Sequence, residues 1–298
     1  MNPQAYPSIL LLGLLFGTTL LASRFSVGQY HPLTYLGLRL VIAGLGFIVV
    51  YVFRIANRRW PRDRRLWKHA VVLGVFTSIT MTGIVASMVY LSSGMASIMI
   101  TAGPAFTVIL ANFFLEDEPL SWRKGVGVAL AISGATLLVV LGETGLPDVR
   151  AANPLGYALV LTGILVASIM VIYIRMYMQD LDSYDVTSAR MIVAALIVMP
   201  ISLLLVGFDL SGVNRAGYLV LLYAAIVGTI FAFLLQFYNI QRFGATASVM
   251  VAYVIPVVAT IGGALFLGEQ ITMGMLAGLV LIAIGVWQIN KGTLVVSA

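Results

Sequence analysis

The sequence predicts an all-α polytopic membrane protein, ten transmembrane helices arranged as two inverted five-helix repeats. Three observations carry this. Of 298 residues, 61% are hydrophobic and 9% charged, against about 45–50% and about 25% in soluble domains. Ten apolar runs are long enough to cross a bilayer, which takes about 20 residues each. The two halves of the chain resemble one another, and each holds an odd number of runs. A mean hydropathy of +1.04 excludes a water-soluble globule, a disordered chain and a fibrous repeat. Cysteine is absent, which excludes a disulfide framework, a thiolate metal site and a cysteine nucleophile.

The runs span residues 7–29, 32–53, 68–91, 94–115, 122–142, 154–177, 184–206, 215–239, 245–267 and 272–290. In lipid a segment must satisfy its own backbone groups, so continuous runs are helices, whereas a β-barrel would show short alternating stretches. The first run follows MNPQAYPS, which has no basic n-region, and a second span comes at once after it. It is therefore expected to be a retained helix. The second run carries Arg39 and ends at the basic loop RIANRRWPRDRRLWK, residues 54–68. With the N-terminus inside, the outside cations are Arg24, Arg150 and Arg215, while Arg39 and Arg190 lie within helices. The other twelve of the 17 Lys and Arg fall on inside segments. This bias places both termini in the cytoplasm. The basic loop is read as topogenic rather than as an anionic-lipid or nucleic-acid patch, and no nucleic-acid partner is expected.

The third run reads VFTSITMTGIVASMVYL, with Ser78 and Thr82 four apart on one face. Thr101 on the fourth run and Gly163 on the sixth are expected to face the same space, Gly163 leaving room for a side chain. Gln236 and Tyr238 on the eighth run and Tyr253 on the ninth are the counterparts in the second half. Hydroxyls and amides without adjacent charge suit a zwitterion or neutral solute. The alternative role for such residues is interhelical hydrogen bonding. Pro104 and Pro256 fall mid-run, each removing a backbone hydrogen bond and kinking its helix, and are hinge candidates. Gly13 with Gly17 and Gly274 with Gly278 have small-xxx-small spacing and read as helix-packing sites. Monomer and homodimer both stay open.

Ionisable groups inside a membrane are costly and mark candidate sites. Arg39 and Arg190 each sit roughly 10 Å in from their helix starts at ~1.5 Å per residue. Because their helices start on opposite sides, the guanidiniums are expected at opposite depths. One reading has them meet a substrate carboxylate in alternate states. The other has each neutralise helix carbonyls or pair with a polar group of its own half. No Asp or Glu lies well within a run, which points to gradient-driven passage rather than a buried carboxylate relay. Glu118 and Glu269 follow the fourth and ninth runs. Each is expected to cap the next helix through its dipole, with a gate as the alternative.

The repeat is legible residue by residue. PAFTVILANFFLEDEPLSWRKGVGVALAISG, from Pro104, matches PVVATIGGALFLGEQITMGMLAGLVLIAIG, from Pro256. Glu118 then matches Glu269, Gly127 matches Gly278 and Gly134 matches Gly285. PLTYLGLR ends at Arg39 as SYDVTSAR ends at Arg190, and Ala22-Ser23 resembles Ala167-Ser168. The repeats are expected over 1–148 and 149–298. With five helices each, the second must enter the membrane upside down, which puts a pseudo-twofold axis in the membrane plane. That geometry suits alternating access.

Five-helix halves, an Arg early in each second helix, FLEDE and FLGEQ after each fourth helix, and a glycine-patterned closing helix resemble the EamA-type drug/metabolite transporters. FLGEQI with its following glycines is the most specific element, and FLEDEP departs from it by one extra residue. The resemblance covers nearly the whole chain, and within that superfamily the chain is most similar, by overall likeness, to the YddG-type amino-acid exporters of bacterial inner membranes. The resemblance implies ten helices, a central cavity between the halves, and export of aromatic and neutral amino acids and related metabolites across a bacterial inner membrane. The expected partners are a small-molecule substrate and the lipid bilayer, and no cofactor is expected.

Enzyme motifs are missing from the sequence: no P-loop, no HExxH and no GxSxG. QDLDSYD (179–185) holds three aspartates, which a metal-dependent enzyme acting on lipid or isoprenoid substrates would use. A solvated loop is the other reading. A non-transporting membrane subunit is a third class.

Overall fold

The computed structural model describes residues 5–115, 120–147, 152–178, 180–236, 238–239, 242 and 251–296. Among these residues every regular element is helical, with no strand. The helices are α1 (Ala5–Ser26), α2 (Pro32–Val52), α3 (Arg64–Ser87), α4 (Ser93–Thr101), α5 (Gly103–Phe114), α6 (Trp122–Val140), α7 (Pro154–Tyr177) and α8 (Ser183–Leu205). Then come α9 (Arg215–Ala225), which runs on through a π-helical turn, Ile226–Phe231, to Gln236, and α10 (Val251–Leu267) and α11 (Met273–Val296). Nine spans among the described residues, with α4 and α5 counted as one, are long and apolar enough to cross a bilayer, and α10 is a shorter apolar helix. The ten expected runs are thus recovered, except that residue 237 of the eighth and residues 245–250 of the ninth lie outside the described residues.

Helix starts follow local chemistry. Side chains of Asp63, Ser92, Ser121, Asn153, Asp182 and Asn214 accept backbone N–H bonds at the first turns of α3, α4, α6, α7, α8 and α9. Asp63 is why α3 begins four residues before the expected limit of 68. Pro32, Pro104 and Pro154 sit in first turns, where their missing N–H costs nothing. Outward-facing Leu204, Phe266 and Val140 are 84%, 80% and 76% exposed, a surface that lipid rather than water must cover.

Two helix pairs run antiparallel in close contact. In α2 and α8, Thr34 Oγ1 meets Ser202 Oγ at 3.0 Å, Gly37 faces Met199, Gly44 faces Ile192, and Tyr51 Oη donates to Asp185 at 2.8 Å. In α6 and α11, a Cβ on Gly127 would stand 2.6 Å from the Gly285 carbonyl oxygen, and one on Gly134 would stand 3.0 Å from that of Gly278. Glycine alone permits so close a backbone approach. Around these pairs, α3 packs on α7 and α8, α1 on α9 and α10, α4 on α10, and α5 on α7. Gly13 and Gly17 are covered by Val254 and Val258 of α10, so that stripe packs inside the molecule.

The fourth span departs from the expected mid-helix kink. α4 stops at Thr101, and Pro104 stands in the first turn of a separate α5. Pro256 lies inside an unbroken α10. Pro104, in a first turn, gives up no helical bond, whereas Pro256 stands inside its helix and removes one without breaking it.

Candidate functional site

A cavity of about 210 Å³ lies where α1, α2, α3, α4, α9 and α10 converge. Its polar lining is Thr19, Ser23, Arg39 and Thr80. Its apolar lining includes Phe16, Leu20, Met81, Val85, Phe233 and Ile255, with Phe16 and Phe233 in edge-to-face contact at 5.6 Å. The wall therefore combines one cation, three hydroxyls and an apolar remainder, with no Asp or Glu.

Arg39 is held from both halves. Its Nε donates to Thr229 Oγ1 at 2.9 Å and its Nη1 to Ser23 Oγ at 3.3 Å. Thr229 belongs to the π turn of α9 and donates in turn to the Ala224 carbonyl at 2.9 Å, five residues back. A π turn leaves such a carbonyl available, so the local irregularity is what points Thr229 at Arg39. Gly228 beside it lies against Thr19, where any side chain would collide. Arg39 thus pairs with a polar group of its own half, Ser23, as one reading expected, and also with Thr229 of the other. Arg190 is held differently. Its Nη1 approaches Met170 Sδ at 3.4 Å, its guanidinium carbon stands 5.3 Å from the Phe233 ring centroid, and its Nε has no hydrogen-bond partner among the described residues. The α2–α8 register sets the two arginines about 10 Å apart along the shared axis at ~1.5 Å per residue.

The other sequence candidates are spread over several places. Ser78 and Thr82 do share a face, but they line a separate cleft among α2, α3, α7 and α8. Thr101 is buried and donates to the Ser97 and Ala252 carbonyls. Gly163 lies at the α3–α7 crossing, where an added Cβ would stand 3.0 Å from the Thr80 carbonyl oxygen, so it admits a helix rather than a ligand. Gln236 ends the described part of α9, Tyr238 is half exposed, and Tyr253 accepts from Asn290 Nδ2 at 3.5 Å. Ser23 and Thr229, which the site uses, carry no distinguishing signal as single residues. The Ala22-Ser23 repeat match was the available clue.

Glu269 is a cap, but of a helix in the other half. Its carboxylate accepts from Ser93 N at 2.8 Å, Ser93 Oγ at 2.7 Å and Gly94 N at 3.3 Å, at the start of α4, and Arg24 Nε lies 3.8 Å away. The next helix, α11, is capped by Thr272, whose hydroxyl accepts from Met275 N and donates to Glu143. Glu118 lies outside the described residues. Glu269 and Lys124, which sequence alone placed at a helix end and on an inside segment, join the two arginines as buried charged side chains among the described residues.

The aspartates of 180–185 are engaged by the basic loop. Arg65 Nη1 meets Asp180 at 2.6 Å and Arg58 Nη1 meets Asp182 at 2.9 Å, while Asp185 accepts from Tyr51. Among the described residues no cluster of three or more His, Asp or Glu is placed to hold a metal. Asp182 also caps α8 by accepting from Asp185 N at 3.0 Å. Asp182→Ala is expected to cost about 1 kcal/mol, mostly through the lost cap because the ion pair is half exposed and worth little. Thermal unfolding of the purified protein measures this, and Asp182→Asn should recover most of it.

The family model described as the EamA-like transporter family matches residues 4–140 and 154–291. An uncharacterized transporter of Archaeoglobus fulgidus is 29% identical, over 91% of this chain and 93% of that protein. The uncharacterized inner membrane transporter YedA of Escherichia coli K12 is 26% identical, over 90% and 84%. A probable amino-acid metabolite efflux pump of Salmonella typhimurium is 28% identical, over 83% and 84%. A solved crystal structure superposes with a TM-score of 0.67, covering 99% of this chain and 98% of the other at 17% identity, a likeness of fold alone.

Proposed function

The chain belongs to the EamA-like transporter family and is a multi-pass membrane transporter, and from that premise we propose that it exports small metabolites, foremost neutral and aromatic amino acids, by alternating access. The observation that carries this is the pairing of equivalent helices. Under the repeat, Gly127 corresponds to Gly278 and Gly134 to Gly285, and the contacts are Gly127 with Gly285 and Gly134 with Gly278. Thr34 and Tyr51 meet Ser202 and Asp185 in the same reciprocal way, at an offset of 151. Reciprocal contacts between corresponding residues are the signature of a two-fold relation. Antiparallel corresponding helices support an axis in the membrane plane. The two segments matched by the family model support the division into repeats 1–148 and 149–298.

In this reading the Arg39 cavity between the halves is the transport site. The Glu269 cap seals one face, while the Arg58 and Arg65 pairs tie down the other. The α4–α5 break at Pro104 and the helix around Pro256 are the hinges. The lysine and arginine bias supports cytoplasmic termini, and the Escherichia coli relative supports a bacterial inner membrane. Proteoliposomes loaded with threonine, methionine or phenylalanine should show saturable exit of at least one. Exit no faster than from empty-lipid controls for all three would overturn the substrate class.

A further inference from the structure

The Arg39 cavity holds a positive charge with nothing negative to meet it. Arg39 is 5% exposed, and neither it nor Arg190 pairs with a carboxylate among the described residues. Its partners are hydroxyls, and a guanidinium has more N–H donors than these contacts use. Thr80 lines the same cavity and is buried with its hydroxyl unpartnered among the described residues. A second cation, Arg190, stands behind Phe233, itself part of the wall. An uncompensated cation in a low-dielectric interior is costly, so a ligand that brings the missing negative charge is favoured, and Arg is the side chain suited to a carboxylate.

The geometry points to a carboxylate site in which Arg39 holds the head group and the Thr80 hydroxyl adds a donor. This site ranks ligands of one hydrocarbon body in the order monocarboxylate, amino acid, amine. The inference rests on the reading above that this cavity is the transport site, and it narrows the substrate class. A monocarboxylate neutralises the cavity. A zwitterion leaves its ammonium to be met by Thr19, Ser23 and Thr80, since no acidic side chain lines the wall. An amine adds a further positive charge. The apolar side chains around Phe16 and Phe233 accept a short hydrocarbon body, and about 210 Å³ limits it to metabolite size.

The test uses the purified protein in detergent and three ligands that share a branched hydrocarbon body: 4-methylpentanoate, leucine and isoamylamine. Calorimetric titration should give 4-methylpentanoate at least tenfold tighter than leucine, with no binding of isoamylamine. Arg39→Gln should abolish the carboxylate preference, and Arg39→Lys should keep the order with weaker binding. The wild-type series alone decides the matter if Arg39→Gln fails to fold. Absence of 4-methylpentanoate binding, leucine binding equal to it, or binding unchanged by Arg39→Gln would overturn the assignment. Saturable leucine exit without carboxylate preference sinks this inference and leaves the transport reading. Tight carboxylate binding without exit of any amino acid does the reverse.

Discussion

Replacing Glu269 by alanine should lower stability by about 3 kcal/mol and open one face of the protein. The carboxylate satisfies the backbone N–H groups of Ser93 and Gly94 and the Ser93 hydroxyl, all buried, and stands beside Arg24. Removing it orphans the two N–H groups and leaves the Ser93 hydroxyl only the Ala259 carbonyl at 3.3 Å, and buried orphan donors cost more than the bonds themselves contribute. Thermal unfolding in detergent measures the loss, and Glu269→Gln, which keeps a carbonyl acceptor, should show about half of it. The cap also joins α4 of the first half to the α10–α11 link of the second. A protein without cysteine makes the functional consequence simple to read. Ser23→Cys, on the cavity wall, should react with a membrane-impermeant maleimide applied to the Glu269 face only when Glu269 is also alanine. Equal labelling in both backgrounds would mean that Glu269 closes nothing.

Gly285→Val is expected to cost about 3 kcal/mol and to depress the yield of folded protein sharply. A Cβ there stands 2.5 Å from the Gly127 carbonyl oxygen and 2.6 Å from Ala131 N, both backbone atoms of α6 that cannot yield separately. The contrast is Gly125→Ala on the same helix pair, where nothing lies within 4 Å of the new Cβ. That variant should be neutral or slightly stabilising, since alanine is the better helix former. Size-exclusion profiles and unfolding midpoints of the two variants give the comparison. A monodisperse Gly285→Val protein of unchanged midpoint would contradict the close crossing.

The spans were legible because lipid forces each one to be a long apolar helix, and the repeat because Gly127, Gly134, Gly278 and Gly285 are fixed by backbone contact. The candidate site was legible only in part. Arg39 stood out because charge is rare in a membrane. Ser78 and Thr82 were correctly placed on one face, but which helices that face meets depends on the packing of α7 and α8, which spacing along α3 does not encode. Thr229 reaches Arg39 through a π turn that GTIF does not announce. Glu269 was recognisable as a cap, and its true partner lies 176 residues away in sequence, beyond the reach of any local rule.

Identical halves would leave a carrier indifferent to which side it faces while idle. The stop at Thr101 and restart at Gly103, set against the uninterrupted run through Pro256, remove that indifference. Under the proposed exchange of shapes, one copy would turn at a joint and the other through a continuous helix, so the two postures would differ in elastic energy. Divergence at a single turn would then give the proposed carrier a preferred posture in which to wait.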